Sequence, residues 1–173
     1  MNVIESYKER LESRLLEHCT AAGLLKGTLL SSPDLDEAWL RYAPSFYANA
    51  VREFNAYPEF CFACAGYLGM AVACLWDQDW LRYKDTPYNF FLGERGFDDM
   101  DDHITDKILR DKPFSLAAMQ RCSSETWHFI LKERPEAGTA EAYRMFLASA
   151  ETMFRFGAAI ELRRLGYTLE KVQ

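Results

Sequence analysis

An all-α fold, a single-domain bundle of about five to seven helices around one central apolar helix, is what this sequence predicts. Three observations carry that expectation. Apolar residues recur at steps of three and four through several long stretches. One stretch, Phe60 to Trp76, contains no charged residue. No segment sustains an alternation of period two, so no substantial sheet is expected. The 173 residues fall inside the usual size of one domain, and 1–173 is read as one unit.

The first helix covers 2–22, where Ile4, Tyr7, Leu11, Leu15, Cys19 and Ala22 share one face and Gly23 ends the run. Ser32-Pro33-Asp34 reads as a cap, a proline at the first helical position and an acid in the first turn, opening a short helix to about Tyr42. Pro44 then restarts a helix with the stripe Phe46, Ala50, Phe54 and Tyr57. Pro58 opens the uncharged segment, which is apolar on every side and belongs in the middle of a bundle or in a bilayer. Its two glycines, its alanines and the Asp77-Gln78-Asp79 that follow favour the bundle, and no membrane span is expected. Within it Cys61, Ala65, Gly69 and Ala73 form a small-residue stripe that admits a close neighbouring helix. Residues 84–97, with Pro87, Gly93 and Gly96 among aromatics, read as a loop packed on something. Helices follow from Asp98 to about Arg110, from Pro113 to about Glu133, and from Gly138-Thr139 through Arg164, stopping at Gly166.

Charge excludes some functions. The 20 basic residues are scattered among 26 acidic ones for a net charge of -6, so this acidic protein offers no clustered cations to displace counterions from a nucleic acid or an anionic membrane. The five cysteines, an odd number without dense spacing, point to a reducing, cytoplasmic setting. The first residues mix charged and apolar groups and show no apolar leader pattern, so no export is expected.

Several groups of residues carry possible chemistry. Asp99, Asp102, His103 and Asp106 would share one helical face, and carboxylate and imidazole groups at such steps can hold a divalent metal. The competing reading, acids complementing a helix start beside a wet face, is preferred, and no metal or other cofactor is expected. Glu125 and His128 have the E-x-x-H spacing that di-iron bundles use twice, but it occurs here once in a chain of three histidines. Arg121, six residues and His128 resemble the R-x(4-6)-H signature of the all-helical HEPN ribonucleases, which would imply RNA cleavage by those two side chains. The resemblance covers two residues, Cys122 stands where that family commonly has a small polar residue, and the acidic chain is a poor RNA surface. Cys61 and Cys64 have C-x-x-C spacing without a second pair, and their apolar neighbours make them core residues.

The favoured candidate site is a polar spot in the core. Glu161 lies inside an apolar arc of Tyr143, Phe146, Leu147, Ala150, Phe154, Gly157, Ala158 and Leu165, where a carboxylate is costly unless paired, hydrogen-bonded or protonated. Gln78 extends the line Phe60, Cys64, Tyr67, Ala71 and Leu75. Glu161, Gln78 and Tyr67 are therefore the candidate ligand-binding residues of the secondary reading, a small-ligand-binding or enzymatic bundle. The leading expectation is a non-catalytic protein-interaction or oligomerising module, because no nucleophile with its base, phosphate loop or complete metal set appears; Trp39, Trp80 and Tyr83 are its candidate contact aromatics.

Overall fold

The structure, a computed structural model, describes residues 2–168. Its architecture is all-α. Helix α1 (Val3–Ala21) is capped by Asn2, whose side chain accepts the Glu5 amide, and it ends before Gly23 at φ 79°. Helix α2 runs Pro33–Ala50 with Ser32 accepting the Leu35 amide as the N-cap. The expected break at Pro44 does not occur: α2 passes through it. Pro44 and Leu40 both face solvent, so the carbonyl that a proline leaves without its helical donor is on the wet side. The helix instead ends at Ala50, leaving Phe54 and Tyr57 in the turns beyond.

Helix α3 (Pro58–Gln78) is the central one, with Pro58 at its start and fourteen residues from Cys61 to Leu75 buried. It is long and apolar enough to cross a membrane, yet 78% of its most apolar window is covered by the rest of the bundle. It therefore packs as the core helix of a soluble protein does. A short helix, α4 (Trp80–Tyr83), follows, capped by Asp79. The aromatic loop folds into a 3-10 turn at Tyr88–Phe91. There Phe91 is buried against Tyr42 at a ring distance of 5.6 Å, and the Tyr88 hydroxyl donates to Asn49 Oδ1 at 2.9 Å.

The next expected helix, Asp98 to Arg110, is not regular. After Gly96 turns the chain at φ 73°, a 3-10 turn (Phe97–Asp99) leads into α5 (Met100–His103) and then a π turn (Ile104–Ile108). Two long helices close the bundle. Helix α6 (Lys112–Glu133) starts one residue before Pro113 with Asp111 as cap, and α7 (Ala140–Arg164) starts at the Thr139 cap and stops before Gly166 at φ 99°. Among the described residues no strand forms; Gly93 and Gly96 make one isolated antiparallel bridge.

The core is organised by the crossing of α3 and α7, which run backbone against backbone. A Cβ placed on Gly157 would fall 2.0 Å from the Gly66 carbonyl oxygen, and one on Gly69 would fall 2.1 Å from that of Phe154. Gly69 belongs to the small-residue stripe read from sequence; Gly66, one step round the helix, shares the crossing and also faces Met119 of α6. Helix α1 closes the outer side, its Tyr7 hydroxyl within 2.6 Å of Ser149 Oγ on α7. Ion pairs from Lys8, Arg10, Glu12 and Arg14 run to Glu151, Glu133, Arg155 and Glu125. Exposed pairs of this kind contribute about 0–1 kcal/mol each, so packing rather than charge holds α1 in place.

Candidate functional site

The polar residues singled out from sequence do not assemble into one site. Glu161 is fully buried and forms a bidentate pair with Arg164 of the same helix, with both contacts at 2.7 Å. It thus has the specific partner that a core carboxylate needs. Gln78, the last residue of α3, is exposed and donates to Cys74 Sγ at 3.4 Å. Burial first, and the charge of nearby Glu161 second, push the Cys74 thiol pKa up, so Glu161 and Gln78 both lie close to this sulfur. Tyr67 lies elsewhere. It precedes Gln78 by eleven residues, about 16 Å along a helix, and faces Cys64, Asp101 and Asp102, with burial pushing its hydroxyl up.

The acidic candidates also separate. Asp99 is held by Arg95, whose side chain and backbone amide both donate to it, so its carboxyl stays below the usual range. His103 Nε2 lies 3.0 Å from the Phe90 carbonyl oxygen, Asp106 pairs with Lys112, and Asp102 is exposed. The predicted common face fails because the π turn from Ile104 changes the angular step between His103 and Asp106. Among the described residues no cluster of three or more histidine, cysteine or acidic groups is arranged to hold a metal.

On α6, Glu125 turns to α1, pairing with Arg14 at 2.6 Å and lying 3.8 Å from His18 Nδ1, while Arg121 and His128 are exposed. Cys61 and Cys64 are buried and free; burial pushes Cys61 up to about 12 and Cys64 well up. Trp39, expected as a contact aromatic, is in the core beside Phe154 at 5.1 Å, whereas Trp80 is 41% exposed.

A cleft of about 510 Å³ has a largely apolar, aromatic lining, and sequence reasoning did not assemble it. Three segments build it: the turns after α2, the C-terminal end of α6, and the first turns of α7. Phe146 and Ile130 form its buried floor, half-buried Phe54 and Trp127 its walls, and Val51, Leu131 and Tyr143 its exposed rim. The rings interlock, with Phe54 4.2 Å from Phe146 and edge-on to Trp127 at 6.3 Å. Asn55, Arg134, Thr139 and the Tyr143 hydroxyl supply the polar groups.

Local chain geometry explains the shape. Arg134 ends α6 in the left-handed region at φ 50°, which turns the chain sharply into Pro135 and back through Gly138 at φ 82°. That reversal brings the α6 residues Trp127 and Ile130 opposite Tyr143 and Phe146 of α7. Thr139 caps α7 by accepting the Ala142 amide at 3.2 Å. Arg134 makes no side-chain hydrogen bond or ion pair among the described residues, so a full positive charge stands at the edge of an apolar, aromatic hollow. The signal was present in sequence as equal spacing of Trp127 and Phe146, and of Ile130 and Tyr143, about the short Arg134–Thr139 connection. Comparison with protein-family models, with curated proteins and with solved structures finds no match to this chain.

Proposed function

We propose that this protein is a non-catalytic binding module whose cleft between α6 and α7 takes small amphipathic guests, an apolar or aromatic body with an acidic head. The observation that carries the reading is Arg134, at the mouth of the aromatic hollow and without a side-chain hydrogen bond or ion pair among the described residues. A volume of about 510 Å³ is of the size that small-molecule sites have, roughly 300–1,000 Å³, and such sites combine apolar walls with a few oriented polar groups. Phe54, Trp127 and Phe146 would stack on the guest body, while Arg134 would meet the acid. The polar lining consists of one cation, an amide and the hydroxyls of Thr139 and Tyr143, which orient a ligand but include no carboxylate, imidazole or thiol to act as a base.

The test uses anilinonaphthalene sulfonate, an aromatic anion, and its uncharged relative N-phenylnaphthylamine. Saturable binding of the anion with energy transfer from tryptophan emission, lost in Trp127→Phe, is expected. Leu131→Glu on the rim should remove binding of both dyes while helicity is retained, and Arg134→Gln should weaken the anion at least several-fold while leaving the neutral dye unchanged. Equal binding of both dyes by wild type and both variants would refute the site.

Self-association is a second reading with a feature of its own. Trp80, Leu81 and Phe90 are 41%, 77% and 43% exposed on and near α4, an apolar patch away from the cleft. Such a patch favours a symmetric dimer. Sedimentation of wild type and Leu81→Asp at micromolar concentration tests it, and a monomer in both would end it. The five free, buried cysteines support a cytoplasmic setting for either reading.

A further inference from the structure

We infer that Cys19 and Cys122 are a hydroperoxide-oxidisable dithiol that closes to a disulfide between α1 and α6. The two sulfurs lie 3.5 Å apart across the helix interface, although 103 residues separate them in sequence. Closing to a bond of about 2.05 Å asks each sulfur to move by roughly 0.7 Å. The other three cysteines are arranged differently: Cys61 donates to the Ala50 carbonyl oxygen, Cys74 to that of Ile108, and Cys64 is enclosed beside Tyr67 and Asp101.

The surroundings favour reaction at Cys19. Its thiol is held below its ordinary pKa, first by the hydrogen bond from Cys122 and also by the charge of Arg121, against the opposing effects of burial and Glu125. Cys122 is correspondingly pushed well up by that same bond and by burial. Either sulfur can donate in the shared hydrogen bond, but only Cys19 lies within a turn of a helix end, so it is the attacking sulfur and Cys122 the resolving partner. Next to Cys19, His18 Nε2 is enclosed without a hydrogen-bond partner, while its Nδ1 faces Glu125 at 3.8 Å. Neither sulfur is exposed, so the oxidant enters by fraying of the α1 end, which stops at Ala21, two residues beyond Cys19.

The chemistry balances with a hydroperoxide as oxidant. The Cys19 thiolate attacks one peroxide oxygen, the O–O bond breaks, and the released hydroxide takes a proton to become water, leaving a sulfenic acid on Cys19. The Cys122 sulfur then attacks the Cys19 sulfur and the S–O bond breaks. The departing hydroxide takes the Cys122 proton and leaves as a second water. Two thiols lose two electrons and two protons, and one hydrogen peroxide is reduced to two waters.

The experiment treats the full chain with hydrogen peroxide, quenches, and alkylates under denaturing conditions before mass spectrometry. Of the five free thiols, three should remain alkylatable, the intact mass should fall by two hydrogens, and the Cys19 and Cys122 peptides should appear as one linked species that a thiol reductant separates. In Cys122→Ser, Cys19 should accumulate as a sulfenic acid trapped by dimedone, and in Cys19→Ser residue 122 should stay reduced. If both variants fail to fold, the wild-type peptide map still decides. Five thiols remaining, or a bridge joining any other cysteines, would overturn the assignment.

Discussion

Replacing Gly157 by alanine sets two effects of opposite sign against each other. In an unencumbered helix alanine is favoured over glycine by about 1 kcal/mol, so propensity alone predicts a more stable protein. In α7, however, the new Cβ would stand 2.0 Å from the Gly66 oxygen and 2.8 Å from its carbonyl carbon, where ordinary contact begins at 3.4 Å. Both obstacles are backbone and cannot rotate aside. Helices α3 and α7 must then part by roughly 1.4 Å, the shortfall in that contact. A gap of about 0.5–1 Å already forfeits a quarter to a half of a dispersion contact, and overpacking costs about 1–3 kcal/mol and sometimes more. Because these are the two most buried helices, the packing loss wins, and a net destabilisation of about 2–4 kcal/mol is expected. Urea denaturation followed by circular dichroism measures it, and at this size a loss of about 3 kcal/mol lowers Tm by roughly 6–12 °C. A Gly157→Ala protein as stable as wild type, or more so, would refute the close crossing. Gly69→Leu should cost more, since its Cβ meets the Phe154 backbone at 2.1 Å and a larger side chain follows.

Three further outcomes are expected. Arg164→Met should cost about 3–5 kcal/mol because it strands the buried Glu161 carboxylate, whereas Glu161→Leu should cost under about 1 kcal/mol, since Arg164 at 24% side-chain exposure can reach water; equal losses in denaturation would contradict the pairing. Tyr7, Tyr47, Tyr67 and Tyr88 all have hydroxyl pKa values raised chiefly by burial. The folded state therefore keeps protons that the unfolded state releases above about pH 10, and stability should be intact below that pH and fall by about 1.4 kcal/mol per such tyrosine per pH unit above it. Ionisation of all nine tyrosines near pH 10 while helicity persists would contradict the burial of these four. Calorimetry with zinc, manganese and iron should give at most weak binding, because Asp99, His103 and Asp106 already have separate partners; a sub-micromolar site lost in His103→Ala would overturn this.

What could be read from sequence follows from how local each signal is. The starts at Pro33, Pro58 and Thr139 and the stops at Gly23 and Gly166 were legible because caps and breakers act within a turn. Burial of α3 was legible because an uncharged helix has no polar face to offer water. Pro44 misled, since tolerance of an internal proline depends on whether its freed carbonyl meets solvent, which is a tertiary property. The π turn misled for a similar reason: the register of Asp106 depends on Leu109 N–H reaching back to Ile104 O at 2.9 Å. Glu161 was found as a core acid, but its separation from Tyr67 and the convergence of Phe54 with Trp127 and Phe146 rest on helix placement that periodicity does not encode.

The crossing of α3 with α7 also sets an order of events during synthesis. Helix α3 is complete at Gln78, yet the surface that receives it is not finished until Arg164, 86 residues later. At about 5–20 residues per second, that is roughly 4 to 17 s in which the most apolar segment of the nascent chain lacks its principal cover. A fragment ending before Ala140 would present the Gly66 and Gly69 face to water or to another copy of itself. The same glycines that let two backbones touch in the finished protein thus leave its unfinished form dependent on speed, or on a chaperone that holds an uncharged helix until its partner is made.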